Sequence, residues 1–351
     1  MVLHNKIDKR ILKEKMLTAT EERMTISFYK YHQIAEPKNF RDELYVLLDS
    51  LGVMGRIYVA HEGVNAQISL PKNNFEAFRE KLYSVSFLQG IRLNIAVDDN
   101  GKSFFKLKIQ VRKKIVADGL DDSTFDVTQT GVHVNAKDFN ALAENPNTII
   151  IDMRNHYESE VGHFKGAVLP DVDTFREELQ VAEDLLRDNK DKNLLMYCTG
   201  GIRCEKASAW MKHKGFKNVF QLNGGIIEYT RQVKEQGLEN KFIGKNFVFD
   251  ERLGERISED IVSVCHQCGT ACDDHTNCKN DGCHLLFIQC KTCAEQFNHC
   301  CSEECKEIIA LPEDVQKELR KGINKGRQVF KKGRSEKMIY RKVSHQTPSI
   351  L

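Results

Sequence analysis

The sequence predicts a mixed α/β protein in three parts: an N-terminal α/β sandwich, a central parallel α/β domain and a C-terminal cysteine-rich module. Three observations carry that prediction. Residues 24–118 alternate between strand-like and helix-like runs. An apolar run over residues 193–197 delivers Cys198 into a glycine loop that is followed at once by helix formers. Ten of the 12 cysteines crowd into residues 265–305. A chain of 351 residues accommodates two or three domains.

In chain order, residues 1–23 carry Lys6, Lys9, Arg10, Lys13 and Lys15 and read as an amphipathic helical arm. Residues 24–126 form the first domain. Thr25–Tyr31 alternates as a strand does, and Arg41–Leu48 has helical periodicity. Gly55–Ala60 and Asn65–Leu70 make two strands across a Glu62-Gly63 turn, a second helix covers Asn74–Tyr83, and strands are expected over Ile91–Val97 and Phe104–Val116. This β-α-β-β-α-β order with one extra strand predicts a ferredoxin-like α/β sandwich, which by itself does not specify a function. The polar turn His61-Glu62-Gly63-Val64-Asn65 either faces a ligand or is a tight hairpin. Lys106, Lys108 and Arg112 decorate the last strand, with Lys113 and Lys114 beyond it. That stripe is either a phosphate-backbone footprint or a solvated edge strand.

Residues 127–240 hold the most informative stretch. Asn193-Leu194-Leu195-Met196-Tyr197 reads as a buried strand, and Cys198, Thr199, Gly200, Gly201, Ile202 and Arg203 follow it into the helix-forming Glu205–Met211. Cysteine chemistry needs the thiolate. Converging loop N–H groups, the positive end of a helix and Arg203 all favour that anion. Cys198 therefore reads as an activated nucleophile, the alternative being a buried structural cysteine. Four residues separate Cys198 from Arg203, one fewer than in the loops of cysteine phosphatases, and the C-x4-R spacing resembles the rhodaneses, whose cysteine carries a persulfide. Ile151-Asp152-Met153-Arg154, Gly162-His163-Phe164-Lys165-Gly166-Ala167 and Gly224-Gly225 match further rhodanese patterns in the expected order. The resemblance gives Asp152, Arg154 and His163 a supporting role. Cys204 departs from the rhodanese pattern; it either resolves an oxidised Cys198 as a disulfide or packs at the helix start.

Residues 241–310 comprise a connector and the cysteine module: Cys265, Cys268, Cys272, Cys278, Cys283, Cys290, Cys293, Cys300, Cys301 and Cys305. Two C-x2-C knuckles, Cys265/Cys268 and Cys290/Cys293, with Cys301/Cys305 resembling the closing helix of a treble-clef finger, suit structural zinc, one ion or two. Spacing does not assign the pairs, and disulfides or an iron–sulfur cluster are the alternatives. Among the module's histidines, His266, His275, His284 and His299 are possible substitute ligands. So short a module buries little core, so metal would supply its folding energy. In the tail, residues 311–351, a cluster that includes Arg327, Lys331, Lys332 and Arg334 suits a nucleic-acid backbone, the alternative being a solvated disordered tail.

The composition, with 41% hydrophobic and 29% charged residues and a net charge of +2, is that of a soluble protein. No apolar run reaches membrane-spanning length and the N-terminus lacks a signal-peptide core. A free nucleophilic cysteine among so many points to the reducing cytoplasm. No flavin, haem or nucleotide motif is visible, and no obligate protein partner is evident.

Taken together, His61 through Ser69, Ile151 through Glu158, Cys198 through Ser208 and Cys265-His266-Gln267-Cys268-Gly269 resemble the bacterial tRNA uridine hydroxylases of the rhodanese family, from about residue 3 to about residue 310. The resemblance implies tRNA as partner, molecular oxygen as co-substrate, conversion of the wobble uridine to 5-hydroxyuridine, and Cys198 as the essential cysteine. Two other readings stay open: a sulfurtransferase working through a Cys198 persulfide, and a non-enzymatic RNA-binding protein. Within the hydroxylase reading, Cys198 either adds to the uracil ring or works as a persulfide reductant.

Overall fold

The computed structural model describes residues 7–322 and Met338. The arm is α1 (Lys9–Thr18), capped by the Asp8 carboxylate. Its Leu12 and Met16, one helical turn apart, are buried, and Lys102 Nζ donates to the free carbonyls of Met16 and Ala19 at its C-terminal end.

The first domain runs β1 (Arg23–Tyr31), α2 (Pro37–Asp49), β2 (Met54–Ala60), β3 (Gly63–Pro71), α3 (Phe75–Tyr83), β4 (Asn94–Ile95) and β5 (Leu107–Val111). The sheet order is β4-β1-β3-β2-β5, antiparallel except where β5 lies parallel to β2, which is the ferredoxin-like arrangement with one added edge strand. Strand alternation sorts the two faces. Ile26, Phe28, Ile57, Val59, Ala66 and Ile68 pack with Leu44, Leu48, Phe78 and Leu82 of the two helices. Ser27, Tyr29, Arg56, Tyr58, Asn65 and Gln67 point the other way. Two strands are shorter than the sequence suggests. At β4 the Asp99 carboxylate takes the Thr25 N–H and hydroxyl, replacing ladder bonds with side-chain ones. Beyond β5 the chain is drawn off the sheet when the Ile115 N–H donates to Glu62 Oε1 at 2.7 Å.

The central domain comprises β6 (Val132–Val134), α4 (Ala136–Glu144), β7 (Thr148–Asp152), α5 (His156–Ser159), β8 (Gly162–Phe164), α6 (Phe175–Leu186), β9 (Asn193–Tyr197), α7 (Ile202–His213), β10 (Asn218–Leu222) and α8 (Gly225–Gln236). Strands β6-β10-β9-β7 form an all-parallel sheet. Helices cover both faces, which explains why β7 and β9 are near-continuous apolar runs. Leu179, Leu194, Met196 and Met211 fill one side, and Phe139, Leu195, Phe164 and Tyr229 the other. Ligands in such sheets bind at the carboxyl ends of the strands, and Cys198 directly follows β9.

The remainder contains β11 (Phe242–Asn246), β12 (Glu255–Arg256), β13 (His275–Asn277), β14 (Leu286–Ile288), α9 (Lys291–Gln296), α10 (Glu303–Ala310) and α11 (Glu313–Arg320). β11 pairs antiparallel with both β8 and β12, stitching this part to the central domain. A buried His266–Glu160 bond of 2.9 Å adds a second tie. Among the described residues, no helix is long and apolar enough to cross a membrane.

Candidate active site

The strand-to-helix turn after β9 forms as the sequence predicts. Tyr197 and Cys198 are fully buried, and Gly201 caps α7 in the left-handed region at φ 98°. A Cβ at Gly201 would lie 2.9 Å from the Tyr29 hydroxyl. One at Gly225, which has φ 65°, would lie 2.5 Å from the carbonyl oxygens of Cys198 and Thr199, so the start of α8 presses directly on the loop backbone. The Gly201 N–H donates to Cys198 Sγ at 3.2 Å. Burial pushes the Cys198 thiol up. The Cys204 side chain, the Arg203 charge and the N–H groups of Arg203 and Cys204 outweigh burial and bring it down to about 6. Cys204 moves the opposite way, raised by burial and by the neighbouring Cys198.

Arg203 does not reach over the cavity as a free cation. Its guanidinium makes a bidentate pair with Glu158 at 2.7 and 2.8 Å, and Glu158 is fully buried. Burial works against the Glu158 carboxylate, and Arg203 nonetheless holds it below the usual carboxylate range. The same Glu158 accepts the Asn155 N–H at 3.1 Å, the return bond of a capping box at the start of α5. Glu178 on α6 is also fully buried, and neither of its oxygens has a hydrogen-bond partner among the described residues. Burial drives its pKa well up. Sequence reasoning missed both carboxylates. The Asn155-x-x-Glu158 spacing was a visible signal for the first, and nothing marked the second.

Asp152 and Arg154 form a fully buried pair at 2.7 Å, with Tyr197 Oη donating to Asp152 and Arg154 donating to the Gly162 carbonyl. His163 Nδ1 meets the Ser159 carbonyl at 2.8 Å on β8. Asp152 and Arg154 are thus tied through Tyr197 to the strand that carries the loop, and His163 to the end of α5.

The loop floors a cavity of about 850 Å³. Cys198, Thr199, Gly200, Ile202 and Arg203 lie on one side. The polar face of the first-domain sheet, including Tyr29, Arg56, Tyr58, Asn65 and Gln67, forms the roof, and Phe249, Arg252 and Glu255 close an edge. Asn65, read from the sequence as the end of the polar turn and the start of the next strand, is a β3 residue of this roof; its amide donates to the Ile115 carbonyl at 3.2 Å and its oxygen accepts from Gln67 at 2.7 Å. Roof and floor are clamped together. Tyr29 Oη donates to Glu205 at 3.0 Å and Asn94 Nδ2 to the Gly200 carbonyl at 3.4 Å. Lys206 on α7, 2% exposed, pairs with Asp122 at 2.6 Å, Glu62 at 2.9 Å and Asp118 at 3.7 Å.

The basic stripe divides. Lys108, Arg112 and Lys113 are exposed and Lys106 half-buried. Lys114 turns inward to Asp118 and Asp122 at 2.7 and 2.9 Å, so it belongs to the clamp and departs from the expected surface. Arg327, Lys331, Lys332 and Arg334 lie outside the described residues.

The cysteine module resolves into two quartets that can each hold a metal ion: Cys265, Cys268, Cys290 and Cys293, and Cys278, Cys283, Cys301 and Cys305. Within each, the four sulfurs lie within 4.8 Å of one another. Each quartet joins residues from two separate stretches of chain, which is why spacing did not assign them. None of the 12 cysteines is joined in a disulfide in the structure. Cys272, expected among the ligands, is in neither quartet: bonds between its backbone and Ser263 hold it next to the Val264–Ala271 β-bridge, and it is buried in the same local core cluster as Tyr157 and Phe247. Cys300 is likewise left over. Among the described residues, no histidine joins either quartet.

A thiolate in a C-x4-R turn at the carboxyl end of a parallel strand defines a cysteine enzyme of the rhodanese class, here roofed by a second α/β domain. Comparison with known families agrees: residues 135–232 match the rhodanese-like domain, residues 23–115 the UPF0176 acylphosphatase like domain and residues 243–306 the rhodanase C-terminal family. The tRNA uridine(34) hydroxylase of Enterobacter sp. (strain 638) is 60% identical over 95% of this chain and 96% of its own length. That of Photorhabdus laumondii is 58% identical over 95% of both. The chain belongs to the tRNA uridine(34) hydroxylase family.

Proposed function

We propose that this protein hydroxylates the wobble uridine of tRNA to 5-hydroxyuridine, with molecular oxygen as co-substrate and Cys198 as nucleophile. One observation carries the reading: a buried, acidified cysteine at the floor of a cavity whose size suits a nucleotide turned out of its strand. Uracil C6 is electrophilic through conjugation with the C4 carbonyl. Addition of the Cys198 thiolate there places negative charge on C5 and O4 and makes C5 electron-rich enough to meet oxygen. The Gly201 N–H and Arg203 hold the sulfur anionic until the base arrives. The hydrogen-bonded amides of Asn65 and Gln67 offer donors and acceptors to the uracil edge, and Tyr58 offers a ring on which a base can stack.

Outside the cavity, Lys106, Lys108, Arg112 and Lys113 are assigned to the tRNA backbone, together with Arg327, Lys331, Lys332 and Arg334 of the tail. The quartets are assigned to two structural zinc ions. A tetrahedron with Zn–S bonds of about 2.3 Å has edges of roughly 3.8 Å. The Cys268–Cys290, Cys283–Cys301 and Cys301–Cys305 sulfurs stand 3.6, 3.6 and 3.8 Å apart. N–H groups of Cys290 and Cys301 donate to ligand sulfurs at 3.4 Å, as in the outer shell of thiolate sites. A nucleophilic cysteine and a tRNA substrate together support assignment to the cytoplasm.

The test is nucleoside mass spectrometry of tRNA from a host lacking uridine hydroxylation. The host expresses the protein or its Cys198→Ala form, with and without oxygen. Oxygen- and Cys198-dependent 5-hydroxyuridine is expected. A thiolated nucleoside in its place would move the protein to the sulfurtransferases, and unchanged tRNA would refute catalysis on uridine.

A further inference from the structure

The base of the cavity holds two thiols. Cys198 lines the cavity, while Cys204 sits behind it in the first turn of α7; both are fully buried and pack in one cluster beneath the loop. The other ten cysteines lie in the C-terminal module, eight of them in the quartets. Packing alone would be met by any small side chain at the helix start. A second thiol held against the first one gives the site what hydroxylation by oxygen requires: two electrons and two protons to convert the second oxygen atom to water.

We propose that Cys204 is the resolving thiol of the reaction, and that the Cys198/Cys204 pair supplies the electron pair consumed in each hydroxylation. The proposal rests on the hydroxylase reading. In balance, uracil C5–H, O2 and two thiols become uracil C5–OH, water and one Cys198–Cys204 disulfide. Cys198 adds at C6, and the C5 carbanion takes up O2 to form a C5–O–O bond. Loss of the C5 proton to solvent expels Cys198 from C6 and restores the ring double bond. The freed Cys198 thiolate attacks the outer peroxide oxygen. The O–O bond breaks, the inner oxygen stays on C5 as the hydroxyl, and Cys198, oxidised by two electrons, becomes a sulfenic acid. Cys204 then attacks the Cys198 sulfur. The S–S bond forms, the S–O bond breaks, and hydroxide leaves as water with the Cys204 proton. A cellular dithiol reduces the disulfide through the cavity mouth, where only Cys198 is presented.

The contrast between the two sulfurs fits this division. Cys198 is the one held as an anion, ready to add to uracil. Cys204 is kept protonated by burial and by the charge on Cys198, and that second influence ends when Cys198 becomes a neutral sulfenic acid. The resolving thiol is thus restrained until its target exists.

The experiment uses reduced full-length protein freed of small thiols, mixed in air-saturated buffer with tRNA from a strain lacking wobble hydroxylation. After an alkylating quench, 5-hydroxyuridine and the Cys198–Cys204 linked peptide are quantified by mass spectrometry. The proposal expects at most one 5-hydroxyuridine per chain, matched one-to-one by the linked peptide, with repeated turnover once dithiothreitol is added. In Cys204→Ser the linked peptide is lost and dimedone captures a Cys198 sulfenic acid in equal yield to the product. Several turnovers without added thiol, or one turnover that leaves both cysteines alkylatable, would overturn it. The wild-type stoichiometry decides the matter even where Cys204→Ser does not fold. Absence of 5-hydroxyuridine from the wild type even with dithiothreitol would instead overturn the hydroxylase reading, and the role of the pair with it.

Discussion

Replacing Lys206 with methionine tests whether the clamp between the two α/β domains maintains the site. Lys206 is 2% exposed and is the one cation paired with Glu62 among the described residues; it also contacts Asp122 at 2.6 Å and Asp118 at 3.7 Å. Lys114 neutralises only the two aspartates. Methionine preserves the stem but leaves three carboxylates with a single cation, and removing one partner of a buried pair costs about 3–5 kcal/mol. For a cooperative unit of about 200 residues, at 2–4 °C per kcal/mol, Tm at pH 7 should fall by roughly 6–20 °C. The pH dependence supplies a second check. Burial opposes the charged form of Asp122, and the bonds from Lys206 and Lys114 more than offset it, so its pKa is lowered. Stability from a depressed carboxylate is present above its unfolded value and is lost as pH falls through the folded one. The difference between wild type and Lys206→Met should therefore be full at pH 7 and shrink toward pH 4 and below. Melts by circular dichroism at both pH values give the answer. A fall under 2 °C at pH 7, or an equal fall at pH 4, would refute the charge argument.

Alkylation of Cys198 by iodoacetamide, followed by peptide mass spectrometry, should rise with pH to an inflection near about 6, because the thiolate reacts and the thiol does not; an inflection near 9 would refute the cradle. Metal analysis should find two zinc ions per chain, with Cys265→Ser and Cys278→Ser each losing one and Cys272→Ser losing none. Glutamine at Glu178 should raise Tm at pH 8 relative to wild type and leave it unchanged near pH 4. The raised carboxyl gives its full stability only below its unfolded value and loses it as pH rises, whereas the amide does not titrate; equal melts at pH 8 would refute it. Alanine at Lys108 and Lys113 together should weaken tRNA binding and reduce the slope of log affinity against log salt by roughly 2, one phosphate contact each; an unchanged slope would remove this edge from the interface.

The elements that local chemistry dictates were legible in the sequence. The β9–loop–α7 turn was readable because a buried strand, two glycines, an arginine and a helix start must coincide to hold a thiolate. The ferredoxin-like order was readable because the strands are half-buried and alternate. Long-range pairing was not. Asn65 and Gln67 look like ordinary outward-facing strand residues until a second domain roofs the loop with them. Lys114 looks like part of a basic stripe until the chain turns and directs it at Asp118. Cys272 has the spacing of a ligand, but the backbone bonds to Ser263 fix it next to the Val264–Ala271 β-bridge and outside the quartet. Cysteines up to 28 residues apart converge in one quartet that can hold a metal ion, a partnership set by tertiary folding.

The charges below the loop explain why an arginine so close to Cys198 is not sufficient to ionise it. Arg203 is paired through both nitrogens with Glu158, and Arg154 with Asp152, so two cations face two carboxylates before the cysteine or Glu178 is considered. A further anion at both Cys198 and Glu178 would leave the buried cluster two charges negative. Glu178 has no hydrogen-bond partner among the described residues and burial drives its pKa well up, so the single excess negative charge falls on the sulfur. Only the sulfur has donors waiting: the Gly201 N–H at 3.2 Å, the N–H groups of Arg203 and Cys204, and the Cys204 thiol. Hydrogen bonds to an ionised acceptor contribute about 1.5–3 kcal/mol each, and several together offset the cost of burying the thiolate. The carboxyl without donors stays neutral and the thiol with donors ionises. Donor geometry at the start of α7 therefore decides which buried acid carries the charge, and it decides in favour of the atom that faces the cavity.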